Sequence, residues 1–137
     1  MLKLSKQVEY AILAIQHIAK NNERRLSTKE ISADLGIDFE FLAKTLQLLK
    51  KKNIVAAKKG KGGGYLLLQP PAQLTVADII MAVENTDRIS IVDCLEHSNA
   101  TCVRFEDCAM KLPFLKIQNK INNILDNTTI KDMIELQ

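Results

Sequence analysis

The chain has no tryptophan, only two histidines, three prolines and three cysteines among its 137 residues, and aromatic side chains make up just 4% of it. No serine–histidine pair stands at a workable spacing, which argues against a nucleophilic enzyme. The pattern G-x-x-x-x-G-K-[ST] is missing and no helix follows the glycine cluster, so a nucleotide phosphate loop is rejected. No apolar run approaches the ~18 residues of a membrane-crossing helix, and Met1–Lys6 lacks the apolar region of a secretory leader. A cytoplasmic protein without membrane contact is expected. In that compartment thiols stay reduced and clustered cysteines are metal ligands or redox groups more often than a disulfide framework.

What is present is unevenly placed. Cys94, Cys102 and Cys108 lie close together, in a stretch that also holds His97, Asp93, Glu96, Glu106 and Asp107, with Glu84 just upstream. Three thiols cannot pair off, and three thiolates fall one ligand short of a four-coordinate site. A metal or cluster whose last ligand comes from elsewhere would complete the set. Charge is also segregated. The net charge is +3, yet Lys44, Lys50, Lys51, Lys52, Lys58, Lys59 and Lys61 occur between Phe41 and Lys61 with no acid among them, and beyond Val92 acids outnumber bases. A basic middle suits an anionic partner, nucleic acid being the commonest, against the plainer reading of a solvated lysine face.

Helical periodicity organises most of the chain. Val8, Ala11, Ile12, Ile15, Ile18 and Ala19 repeat at helical spacing behind Ser5, a plausible N-cap. Ser27-Thr28-Lys29-Glu30 is a capping box, and Gly36 stops its short helix after Leu35. Asp38 caps a third helix with an expected core stripe of Phe39, Leu42, Leu46 and Leu49 and an outer face of Glu40, Lys44, Gln47 and Lys51. That is a helix-turn-helix layout. Residues 54–58 read as a strand, Gly60-Lys61-Gly62-Gly63-Gly64 as a turn and residues 65–68 as a returning strand. A hairpin directly after a recognition helix is the wing of a winged helix, and Lys58, Lys59 and Lys61 stand at its tip.

After Pro70-Pro71, Thr75-Val76-Ala77-Asp78 caps another helix, and the cysteine stretch follows without clear periodicity from about Thr86 to Arg104. Phe114, Ile117, Ile121, Ile124 and Leu125 form a stripe on an otherwise polar helix, which Pro113 either starts or kinks. Thr129-Ile130-Lys131-Asp132 opens a last short helix. A long single-stripe helix at the end of a small DNA-binding domain commonly packs against its twin, because operators are two-fold symmetric. The fold is therefore expected to be mainly α. Residues 1–84 form a winged helix-turn-helix domain (wing 54–68), 85–108 a cysteine-containing loop, and 109–137 a dimerisation helix with a C-terminal helix.

Glu9-Tyr10-Ala11, the capped helix-turn-helix, Lys59-Gly60-Lys61-Gly62-Gly63-Gly64-Tyr65-Leu66, Thr75 to Ile80, the cysteine trio and Asn127-Thr128-Thr129-Ile130 come in this order along the chain. In that order the sequence resembles the Rrf2 family of bacterial transcription regulators, which includes iron–sulfur sensors. The resemblance implies a homodimer that binds double-stranded promoter DNA, with affinity set by a cluster on three cysteines plus one variable ligand. It implies a [2Fe–2S] cluster on Cys94, Cys102 and Cys108 here. Base and phosphate contacts would fall to Thr28, Glu40, Ala43, Lys44, Gln47, Lys51, Lys58, Lys59 and Lys61, with Tyr65 supporting the wing.

Two departures from the family pattern matter. Lys59 stands where family wings often carry arginine, keeping the charge but losing the bidentate fork. The first cysteine gap is longer than in some of the family's iron–sulfur members, which place a histidine ligand where Lys111 stands here. The fourth ligand is open between Glu9 of a partner subunit, His97 in the cysteine stretch and, after them, Asp107, Glu106 or His17. Glu9 matches an acidic ligand position of some iron–sulfur members, but it is equally placed as an ordinary first-turn acid. A cluster-free thiol switch, or a regulator answering to a metabolite or partner protein, is the alternative on the same fold.

Overall fold

The computed structural model describes residues 2–96 and 102–137. Its elements are α1 (Lys6–Lys20), α2 (Thr28–Leu35), α3 (Phe39–Lys51), β1 (Val55–Lys58), β2 (Gly64–Leu67), α4 (Val76–Glu84), α5 (Asp93–Glu96), α6 (Lys111–Asn127) and α7 (Ile130–Glu135). The expected caps are all made. The Ser5 hydroxyl accepts from the Val8 N–H, and Asp38 accepts from Phe41. Ser27 with Glu30, Thr75 with Asp78 and Thr129 with Asp132 form reciprocal capping boxes. Each supplies acceptors to N–H groups that the first helical turn leaves without partners. Gly36 ends α2 in the left-handed conformation (φ 66°), which allows the tight turn into α3.

The core lies between α1, α3 and α4. Ile15, Ile18, Leu42, Leu46, Leu49 and Ile79 are essentially inaccessible to solvent. Truncating any of the leucines to alanine is expected to cost about 2–5 kcal/mol. Ile130 at the start of α7 is fully buried in the same cluster, and its N–H donates to the Leu74 carbonyl at 2.9 Å. The C-terminal helix is thereby folded back onto the first eighty residues of the chain.

Two details differ from the sequence expectation. Phe39 is 51% exposed and lies outside the core. The aromatic that packs from this turn is Phe41, edge-to-face on Tyr10 of α1 with ring centroids 5.4 Å apart. The α6 stripe divides. Phe114, Ile121 and Leu125 are half-buried, whereas Ile117 and Ile124 are exposed. Pro113 starts the helix, sitting in its first turn where its missing N–H costs no intrahelical bond.

Candidate nucleic-acid interface and cysteine segment

Burying Leu42, Leu46 and Leu49 turns the rest of α3 outward. Glu40, Lys44, Gln47 and Lys51 are all exposed, and Ala43 is half-buried beside them. The helix-turn-helix thus presents the outer face that its spacing predicts. Thr28 is the first residue of α2 and is half-buried. The wing is a two-stranded antiparallel hairpin in which Val55 faces Leu67 and Lys58 faces Gly64. Lys58, Lys59 and Lys61 project into solvent at its tip. Among the described residues no ion pair engages Lys44, Lys51, Lys58, Lys59 or Lys61. Their charge is uncompensated locally, as an anion-binding surface requires.

Tyr65 anchors this hairpin to the helix-turn-helix. It exchanges backbone hydrogen bonds with Leu26, the residue before the α2 cap, at 3.1 and 2.7 Å. Its ring is half-buried, and burial pushes the phenol pKa upward.

The cysteine segment begins with Cys94, half-buried on α5, and ends with exposed Cys102 and half-buried Cys108 in the turns ahead of α6; all three are free thiols. The Lys111 ammonium lies 3.8 Å over the Phe105 ring, closing these turns by a cation–π contact. Glu106 and Asp107 are exposed. His97 falls outside the described residues.

The remaining ligand candidates are engaged elsewhere in the single chain. Glu9 pairs with Lys6 at 2.9 Å, and this hydrogen bond raises the Lys6 pKa. His17 meets Asp34 of α2 at 2.9 Å. Outside that set, Glu84 just upstream of the cysteine stretch accepts from the Ser5 hydroxyl at 2.8 Å. Among the described residues no three His, Cys, Asp or Glu side chains come close enough to hold a metal ion. The chemistry of the trio nonetheless fits a soft-metal or iron–sulfur group: three free thiols, two of them partly sheltered from water.

Comparison with known proteins decides the family. A family model described as Rrf2, iron-dependent transcriptional regulator, matches residues 4–136. The chain belongs to the Rrf2 family. It is therefore a DNA-binding transcriptional regulator and not an enzyme. The chain is 26% identical to the regulator IscR of Cronobacter sakazakii, over 99% of this chain and 82% of that protein. It is 22% identical to NsrR of Halalkalibacterium halodurans, over 97% of this chain and 90% of that one. Among solved structures it superposes on CymR, the global cysteine regulator of B. subtilis, with a TM-score of 0.82 and 25% identity, covering 100% of this chain and 99% of that one. The winged-helix fold expected for Rrf2 proteins is the one observed. No helix among the described residues is long and apolar enough to cross a membrane.

One residue escaped the sequence reading. Gln118 of α6 is buried, at 4% exposure, between the half-buried stripe residues Phe114 and Ile121. A lone polar residue at an inward position of an apolar stripe was the available signal.

Proposed function

We propose that this chain is a cytoplasmic, homodimeric regulator that binds double-stranded promoter DNA through α3 and the wing, and that an iron–sulfur cluster on Cys94, Cys102 and Cys108 controls its affinity. The observation that carries the reading is the pairing, in one Rrf2-family chain, of an uncompensated basic face with three free thiols that are near one another in sequence. In the DNA complex, Lys44 and Gln47 would read base edges in the major groove. Glu40, Ala43, Lys51 and Thr28 flank them, and Lys58, Lys59 and Lys61 neutralise phosphates while Tyr65 supports the wing. The exposed apolar residues of α6, among them Leu112, Ile117 and Ile124, supply the surface on which a second copy packs.

The likeness to IscR and NsrR, with the iron-dependent description of the family, supports the cluster. A [2Fe–2S] centre is the proposed form, and it would supply a group whose charge and occupancy answer to oxidants, nitric oxide or iron supply. The thiolates of this chain would hold it, with Glu9 of a second copy or His97 completing the set. Anaerobic purification tests the proposal: coloured protein with charge-transfer absorption and matching iron and sulfide is expected. Colourless, iron-free protein from iron-replete cells would overturn the cluster.

A second reading rests on the likeness to CymR. A groove of about 890 Å³, walled by Val8, Ile80, Ile121 and Leu125 and edged by Glu84 and Arg88, is within the size range of small-molecule sites. A cluster-free regulator answering to a thiol oxidant, a metabolite or a partner protein would use the same fold.

A further inference from the structure

Among the described residues, the chain between α4 and the first cysteine is hydrogen-bonded to α6 through one side chain. The Gln118 Oε1 accepts from the Ile91 N–H at 2.7 Å, and its Nε2 donates to the Ile89 carbonyl at 2.7 Å and to Asn122 Oδ1 at 2.8 Å. A side-chain amide here pairs with the backbone on both sides of Ser90, as a neighbouring strand would. The third bond, from the next turn of α6, fixes which way the amide points. Both amide hydrogens and the oxygen are used, in a site almost closed to water. Cys94 follows three residues after Ile91, at the start of α5. Displacing Ile89–Ile91 without α6 would leave the buried Gln118 amide and two half-buried backbone groups unpaired, which is costlier than moving strap and helix together.

We infer that Gln118 is the positioning residue through which the state of Cys94 reaches α6, so that ligation or oxidation of this thiol shifts the helix proposed to join the two copies. This rests on the reading of Cys94 as a sensing residue given above, but it concerns a different link, thiol to helix rather than helix to DNA. It holds for a cluster and for a thiol switch alike, because either acts on the backbone that Gln118 grips. Asn122 is its partner in the same device, accepting the second amide hydrogen of Gln118 and so tying the amide to α6.

The test is hydrogen–deuterium exchange on the full chain carrying Cys102→Ser and Cys108→Ser, before and after iodoacetamide modifies Cys94. With Gln118 present, the label is expected to speed exchange about tenfold both at residues 89–91 and across 111–127. In Gln118→Met, which keeps the volume and removes all three bonds, the label should still act on 89–91 while α6 exchange stays within about twofold of the unlabelled protein. If Gln118→Met does not fold, Asn122→Ala provides the comparison, with the response of α6 to the label reduced. Equal transmission to α6 with and without these side chains, or no response of α6 in the parent, overturns the inference. Iron content and DNA binding of the unsubstituted chain are measured separately, so a failure of the proposed function shows there and not in the exchange data.

Discussion

Leu26 and Tyr65 exchange two backbone hydrogen bonds, so the residue leading into α2 is paired with the wing and the wing cannot tilt independently of the helix-turn-helix. The crossing is tight. A Cβ placed on the neighbouring Gly64, whose φ is +134°, would stand 2.5 Å from the carbonyl carbon and oxygen of Leu26. Gly64→Ala therefore has to break the pairing or strain the backbone, at a cost of about 1–3 kcal/mol. A lower Tm is expected, and the variant should bind a DNA duplex more weakly even though it loses no charged group. Unchanged melting and affinity would mean that the wing adapts freely.

At the wing tip the expectation is purely electrostatic. Lys59 and Lys61 are exposed and unpaired among the described residues, so replacing both with alanine should leave stability intact. Binding should weaken on every sequence, and the slope of log affinity against log salt should flatten by roughly 0.9 per lost phosphate contact. Gln47→Ala should behave differently, reducing discrimination between sequences while leaving the slope in place. A titration series over ionic strength separates the two, and an unaltered slope in the lysine variant would remove the wing from the interface.

Features written in neighbouring residues were legible from sequence. Ser27 with Glu30, Asp38 before Phe41 and Thr129 with Asp132 satisfy N–H groups three residues away, so the spacing alone declares the helix start. The turn at Gly36 and the glycine-rich hairpin are equally local. Phe39 was misplaced because period alone does not tell which of two nearby aromatics faces inward; the Tyr10 ring of another helix decides for Phe41. Ile117 and Ile124 were merged with Phe114, Ile121 and Leu125 because helical period marks the apolar positions without telling which of them pack within the chain. The role of Gln118 depends on backbone groups of residues 89 and 91, which no pattern within α6 encodes.

That division of α6 yields a contrast. Ile124 is 64% exposed in the single chain, whereas Leu125 packs against the core. Ile117→Glu with Ile124→Glu should therefore leave the fold intact and convert the proposed dimer to single chains of 15.4 kDa, with loss of binding to two-fold symmetric DNA. Leu125→Glu should instead lower Tm directly. Sedimentation equilibrium beside thermal melting distinguishes these outcomes, and a double variant that remains dimeric would place the partner contact elsewhere.

Acid should loosen the molecule at the capping boxes of α2 and α7. The Arg24 guanidinium, and then the Ser27 backbone N–H, hold Glu30 below its ordinary value of 4.5. The Thr129 backbone N–H and hydroxyl hold Asp132 below 3.8. Carboxylates with depressed values in the folded state contribute stability that is complete above their unfolded pKa and is lost as pH falls through the folded one. Tm should thus decline below about pH 4.5, as these groups bind protons more readily in the unfolded chain. Glu30→Gln and Asp132→Asn should each lower Tm at neutral pH and flatten the acid decline. A parallel decline in parent and variants would assign the acid sensitivity to other groups.

Glu9 offers the most direct test of how the cysteine trio is completed. Its only charged partner among the described residues is Lys6, at the exposed start of α1, and surface pairs of this kind contribute little to stability. Glu9→Ala should accordingly fold as the parent does and keep its association state. If its carboxylate closes the site from a second copy, the variant purified anaerobically should show altered charge-transfer absorption and lose iron faster, since an oxygen ligand has been replaced by solvent. Heterodimers carrying Glu9→Ala on one chain and Cys94→Ser on the other sharpen the question. With Glu9 acting across the interface, the site on the Glu9→Ala chain takes its carboxylate from the other copy and is complete, while the second site lacks both a thiolate and the carboxylate. With Glu9 acting within its own chain, one site lacks the carboxylate and the other a thiolate, so neither is complete. Spectra matching the parent in Glu9→Ala would return the fourth position to His97, Asp107 or Glu106.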